Sequence, residues 1–311
     1  MSHVASLLSI EELSSRDVRA LLKLAVDLRA RPAPGAPSSS FVAFLWDRES
    51  VRTRLAIHQA ARLLGSASVD LDLATAFYAD PSRRRDHASF VRAELASMRE
   101  LGCSAAIIRM HRHAILREWR ELTATPIINA CSDEEHPLQA LADALTLVDC
   151  FGETRGLRLT LVGNGASPVF RSLLFLSARL GIDVMLACPP GYQFPDDLVV
   201  RAGSVPAHVH THDLAAGLDR ADVVCSDSVV YRALTEAEEV AFAPYRLSVE
   251  VVQRHAAEAH IMHCLPHADE IESDVVFKAT SLVMQEVAAR VPVTAAAIMW
   301  LNSSTRGGGS A

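Results

Sequence analysis

No Cys-x-x-Cys pair occurs anywhere in the chain. The six cysteines, Cys103, Cys131, Cys150, Cys188, Cys225 and Cys264, are scattered, which suits buried thiols in a reducing cytosol. No apolar run reaches the roughly 18 residues that a membrane span needs. The opening MSHVASLLSIEELSS lacks the basic-then-apolar order of a signal peptide. The expectation is a soluble, cytoplasmic protein with no membrane partner. There is no excess of positive charge either: 30 Lys and Arg face 37 Asp and Glu, a formal net charge of −7. That argues against nucleic acid as a partner, although a negative protein can still hold a local cationic pocket. Internal repeats and heptad runs are absent as well.

What is present is a globular composition. Half the residues are hydrophobic and 22% are charged, enough for a core and too apolar for disorder. A length of 311 residues suggests two domains or one large one. The first 30 residues read as helix, with Val18, Leu21, Leu22 and Ala25 on one face, and the Pro- and Ser-rich stretch after Arg31 reads as a loop. Apolar runs of strand length, most of them solidly apolar rather than alternating, then take turns with helical stretches. They are Phe41–Trp46, Val69–Leu73, Ala105–Ile108, Leu157–Val162, Val184–Cys188, Val223–Cys225 and Ile261–His263. Unalternating strands separated by helices predict an α/β fold with parallel sheets. Pro137 to Phe151 reads as one helix able to join two domains, and Gly152–Gly156 reads as a link into a second unit.

Ligands of open parallel sheets bind beyond the carboxyl ends of the strands, and here those ends carry polar or special residues. Ser50-Val51-Arg52-Thr53-Arg54 opens a helix whose Ile57, Ala60, Ala61 and Leu64 share one face. A helix N-terminus with hydroxyls and a guanidinium fork suits a phosphate; an ordinary serine cap with two solvated arginines fits the spacing equally. His136 and Gln139, three apart, share a helix face, or are simply a cap and a surface amide. His263, Cys264 and His267 match no common zinc spacing, and a Cys–His pairing of Cys264 with His136 is a guess. Gly163-Asn164-Gly165 lacks the third glycine of a dinucleotide fingerprint. No metal and no cofactor are expected.

Taken together, these residues resemble the ornithine and aspartate carbamoyltransferase family. Ser50–Arg54 is similar to its Ser-Thr-Arg-Thr-Arg phosphate loop. His136-Pro137-Leu138-Gln139 is similar to its His-Pro-x-Gln motif, and His263-Cys264-Leu265-Pro266 to the His-Cys-Leu-Pro signature of the ornithine-type branch. The resemblance implies two α/β domains, each with a central parallel sheet flanked by helices. Residues 1–139 would bind carbamoyl phosphate, completed by a C-terminal helix at 291–302. Residues 140–290 would bind the acceptor, and 303–311 would be a mobile tail. It also implies a homotrimer. The implied reaction is attack of a neutral amine on the carbonyl carbon of carbamoyl phosphate, with no covalent intermediate. By resemblance, Ser50, Val51 (through its N–H), Arg52 and Thr53 hold the phosphate, and Arg109 bridges phosphate and carbonyl oxygen. His136 and Thr53 polarise the carbonyl, Gln139 holds the carbamoyl amide, Cys264 and Leu265 line the site, and Arg290 closes it. Arg109, His136, Thr53 and Cys264 are then the catalytic set. Asp227, Ser167, Tyr231 and Cys264 would meet the acceptor.

The acceptor half departs from the ornithine-type pattern. Asn164–Pro168 stands where that branch carries paired asparagines, and Ser228–Arg232 replaces its Ser-Met-Gly element. The expectation is therefore a non-ornithine diamino acid such as 2,3-diaminopropionate, made into a ureido product for specialised peptide-antibiotic metabolism. The alternatives are an ornithine carbamoyltransferase of arginine metabolism and an inactive carbamoyl-phosphate-binding paralogue. Arg83–Arg85, in a long loop, would reach a neighbouring subunit's site or remain a solvated basic loop.

Overall fold

The computed structural model describes residues 6–30, 40–73, 87–203, 209–227 and 234–306. The chain forms two compact units, Met1–Leu141 with Arg290–Ala311, and Ala142–Ala289.

In the first unit, parallel strands β1 (Phe41–Trp46), β2 (Ala67–Asp72), β3 (Cys103–Arg109) and β4 (Ile127–Asn129) form a sheet in the order β2-β1-β3-β4. Val42 to Leu45 and Ala105 to Ile108 have no exposed surface, as strands covered on both faces should. Helices Val51–Leu63, His87–Glu100 and His113–Leu122 make the crossovers. The strand order reverses between β1 and β3, and their ends are level, since Trp46 pairs with Arg109. Arg109, expected just after the strand, is its last residue.

The second unit repeats the scheme. β5 (Arg158–Val162), β6 (Asp183–Ala187), β7 (Val209–Thr211), β8 (Val223–Ser226) and β9 (His260–His263) lie parallel in the order β7-β6-β5-β8-β9. Here the reversal falls between β5 and β8. Val162 pairs with Ser226 and Ser226 with His263, so three strands end at one level. Open α/β sheets bind ligands at such reversals.

Three expectations change. β4 and β7 are strands of three residues, too short for any periodicity to register. The N-terminal stretch is helical only over Ser15–Ala30; before it, Leu7 pairs in parallel with Ile128. Leu7, Leu8 and Ile10 are fully buried, which an extended segment on the sheet achieves and a one-sided helix would not. The helix then starts where Ser14 and Asp17 exchange side-chain and backbone hydrogen bonds, a reciprocal cap. Finally, the helix Val283–Arg306 continues past residue 303 into the stretch expected to be mobile.

Candidate functional site

The first unit gathers donors at its strand reversal. Ser50 is the extended N-cap of the helix Val51–Leu63, and its hydroxyl accepts from Thr53 N–H. First-turn N–H groups have no intrahelical acceptor and carry the positive end of the dipole. The Val51 side chain is exposed, so it can serve an anion only through its backbone. Thr53 is 4% exposed, yet its Oγ1 has no hydrogen-bond partner among the described residues, and neither does Arg109 Nε. Buried polar atoms of this kind are uncommon unless a ligand completes them. Asp47 joins the two strand ends: its N–H donates to the Arg109 carbonyl at 3.1 Å, and its carboxylate accepts from His111 N–H at 2.9 Å. Arg54 takes another direction, its Nε donating to Asp70 at 2.5 Å and its Nη1 to Glu49 at 2.9 Å. The expected loop thus contributes one arginine to the site and one to an ion pair on β2.

His136 begins the helix Pro137–Phe151, its carbonyl accepting from the N–H groups of Gln139 and Ala140. Its imidazole is held well below the usual pKa, first by burial and then by the cations of Arg290, Arg109 and Arg52. Those three guanidiniums come from three distant parts of the sequence. Arg290 donates to Gln139 Oε1 in a close contact. The unit therefore combines three cations, a neutral imidazole, a helix N-terminus and a buried hydroxyl, an arrangement suited to a phosphorylated carbonyl compound.

The second unit has a different character. The Cys264 thiol donates to Asp227 Oδ1 at 3.0 Å, and both residues are buried. His263 is clamped: its N–H donates to Glu286, its Nε2 pairs with Glu270 at 3.0 Å, and its Nδ1 accepts from Leu265 N–H. Leu265 adopts φ 50°, a left-handed turn uncommon for a side chain of its shape. The Cys225 thiol is pushed well above its usual pKa, first by burial and then by the carboxylates of Glu286 and Asp143, with Cys264 and Asp227 contributing. The field at this strand reversal is negative. Asp143 and Glu286 were not foreseen as part of it; each is a buried carboxylate on a helix, and nothing in the local sequence pattern singles it out.

Ser167 is a helix cap, as Ser50 is. It begins the helix Pro168–Leu180, and its hydroxyl accepts from Phe170 N–H at 3.1 Å. Asn164 Oδ1 accepts from Ala166 N–H. Gly165 is set by packing, since a Cβ there would lie 2.6 Å from Phe194 N and 2.7 Å from Gln193 C. Gly165→Ala is expected to destabilise the protein by about 1–3 kcal/mol through overpacking against rigid backbone. A urea midpoint equal to that of the wild type would refute it. Tyr231, with Ser228 and Arg232, lies outside the described residues, as do Arg83–Arg85.

Comparison with known proteins matches both units. Residues 5–149 match the aspartate/ornithine carbamoyltransferase carbamoyl-P binding domain, and residues 155–301 match the Asp/Orn binding domain of the same family. Ornithine carbamoyltransferase from Parafrankia sp. (strain EAN1pec) is 30% identical, covering 96% of each chain. That of Bacillus subtilis (strain 168) is 27% identical over 96% of this chain and 95% of its own. Among solved structures, ornithine carbamoyltransferase from Thermus thermophilus aligns with a TM-score of 0.83 at 28% identity, covering 95% of this chain and 98% of the other. No helix among the described residues is long and apolar enough to cross a membrane. With one family matching both halves, and relatives aligned over nearly its whole length, the chain belongs to the aspartate/ornithine carbamoyltransferase family.

Proposed function

We propose that this carbamoyltransferase acts on a short diamino acid, with 2,3-diaminopropionate the foremost acceptor, and that the two strand reversals divide the work. Carbamoyl transfer from carbamoyl phosphate to an amino-acid amine is the family's reaction. In our reading Ser50, the Val51 N–H, Arg52 and Thr53 hold the phosphate, and Arg109 spans phosphate and carbonyl oxygen. The observation that carries the donor half is the buried, unpartnered pair of Thr53 Oγ1 and Arg109 Nε beside a helix N-terminus. His136, kept neutral by burial and by three cations, donates to the carbonyl oxygen without adding charge. A carbonyl oxygen has two lone pairs, so Gln139 Oε1 can accept from Arg290 and from the carbamoyl N–H together. Arg290 then neutralises the leaving group.

On the acceptor side, Asp227 would pair with an ammonium, with the Cys264 thiol beside it. The amine that attacks must be neutral. Its lone pair forms the new C–N bond, the C–O bond breaks with its electrons leaving on the phosphate, and the amine's proton passes to that departing phosphate. Two features favour an acceptor other than ornithine: Asn164 and Ser167 use their side chains within their own loop, and the stretch at Ser228–Arg232 departs from the ornithine-type pattern. The relatives' names favour ornithine as the second reading. The homotrimer and the place in peptide-antibiotic metabolism belong to the same proposal.

The test is to incubate the protein with carbamoyl phosphate and a panel of diamino acids and to follow ureido products. The expected result is turnover that rises with pH as the acceptor amine deprotonates, fastest with 2,3-diaminopropionate. Ornithine as the fastest substrate would overturn the acceptor assignment. Donor binding with no product from any amine would point to an inactive paralogue.

A further inference from the structure

We propose that Glu135 is a positioning residue for His136, latching the N-terminal segment Leu7–Ile10 onto the loop that carries the imidazole. This rests on the role given to His136 above. The Glu135 carboxylate is 4% exposed and lies one residue before the imidazole. Both of its oxygens are engaged by the N-terminal segment. The Ser9 hydroxyl donates to Oε1 in a close contact, and Ile10 N–H donates to Oε2 at 2.9 Å. Ser9 is itself held, its hydroxyl accepting from Glu11 N–H at 2.9 Å.

The same segment is tied at a second point to β4, the strand that leads into that loop. Leu7 N–H donates to the Ile127 carbonyl at 2.8 Å, and Asn129 N–H donates to the Leu7 carbonyl at 2.9 Å. Asn129 completes the connection from within. Its Nδ2 donates to the carbonyls of Leu8 and Glu135, at 2.9 and 3.1 Å, and its Oδ1 accepts from Cys131 N–H. The backbone just before His136 is thus gripped through the carbonyl of Glu135 and, independently, through its side chain. The apolar side chains of Leu7, Leu8 and Ile10, all fully buried, anchor the other end of the latch.

The consequence is geometric. A catalytic group displaced by about 1 Å can lose on the order of 10²-fold in rate, and rotation of the Glu135–His136 peptide would move the imidazole directly.

The experiment compares Glu135→Ala, Glu135→Gln and Ser9→Ala in the full chain, using carbamoyl phosphate with the best amine of the panel and titrating inorganic phosphate separately. Glu135→Ala is expected to lower kcat by about 30–100-fold while the phosphate Kd stays within about 3-fold, because the phosphate contacts lie on another element. Glu135→Gln should recover to within about 5-fold of wild type, since its amide oxygen can still accept from Ile10 and its NH2 can donate to Ser9. Unchanged kcat in Glu135→Ala, equal damage in the Gln and Ala variants, or parallel loss of phosphate affinity would each overturn the proposal. Should Glu135→Ala fail to fold, Ser9→Ala decides: a loss of about 5–10-fold in kcat at constant phosphate Kd supports the latch, and wild-type kcat sinks it. If the wild type itself makes no product, the reaction assignment fails, and the latch is judged by hydrogen exchange across residues 127–137. Faster exchange in the variants than in the wild type supports it, and unchanged exchange removes it.

Discussion

Arg52→Ala is expected to lower kcat/KM for carbamoyl phosphate by about 10³-fold, and Arg54→Ala by less than about 10-fold. The two residues sit two positions apart in one motif; spacing does not rank them, while the family resemblance gives the phosphate to Arg52. The structure separates them. Arg52 is among the cations that depress the His136 imidazole, so its charge is felt where the carbonyl oxygen would lie. Arg54 is committed to Asp70 and Glu49 on its other side, in a pair exposed enough that solvent screens much of its value. A factor of 10³ corresponds to about 4 kcal/mol of transition-state stabilisation, within the range for a charged donor to a departing phosphate. Arg52→Lys should recover only part of it, because an ammonium cannot reproduce the guanidinium fork. Steady-state kinetics with carbamoyl phosphate varied provides the measurement. Equal losses at the two positions would show that the loop is oriented otherwise.

His136→Ala should reduce kcat by about 10²–10³-fold and should also change how stability responds to acid. In the folded protein the imidazole pKa lies well below its ordinary value, chiefly through burial and then through three arginines. In the unfolded chain it returns to about 6.5. Below that pH the unfolded state binds a proton that the folded state refuses, so stability is fully present above about pH 6.5 and is lost as pH falls. One such group contributes a slope of up to about 1.4 kcal/mol per pH unit. His113 adds to it, since burial, the largest influence, holds its imidazole low as well. Urea unfolding between about pH 5 and 8 should therefore show a shallower acid slope in His136→Ala than in wild type. The activity profile should carry no inflection from His136 near neutral pH, because the group is already neutral there. A wild-type acid slope in the variant would mean that the imidazole titrates normally in the fold.

Several elements were readable because their information is local. β1 matches its apolar run residue for residue, and the helix after it is announced by Ser50 and by the spacing of Ile57, Ala60 and Ala61. The short strands β4 and β7 were not readable, for three residues hold no period. The segment at Leu7–Ile10 misled for a related reason: four residues, three of them apolar, suit a helix face as well as a sheet edge, and only the presence of β4 decides between them. Ser167, expected at the acceptor, caps the helix that follows it with its hydroxyl, as Ser50 caps its own, and a hydroxyl that accepts from an N–H can still donate to a ligand.

By itself, the sequence determined the local frame of the proposed donor half: a strand, a cap and a helix N-terminus within one short stretch, whose hydrogen bonds close over three or four residues and need no distant partner. Only the tertiary structure decided that Arg54 pairs with Asp70 and Glu49, that Arg290 meets Gln139 across 151 positions of chain, and that Glu135 reaches back to Ser9 across 126. The physical reason is reach. A cap is fixed by the backbone beside it, but a long side chain with several free torsions points wherever a partner satisfies it, and these partners become neighbours only once the sheet has assembled.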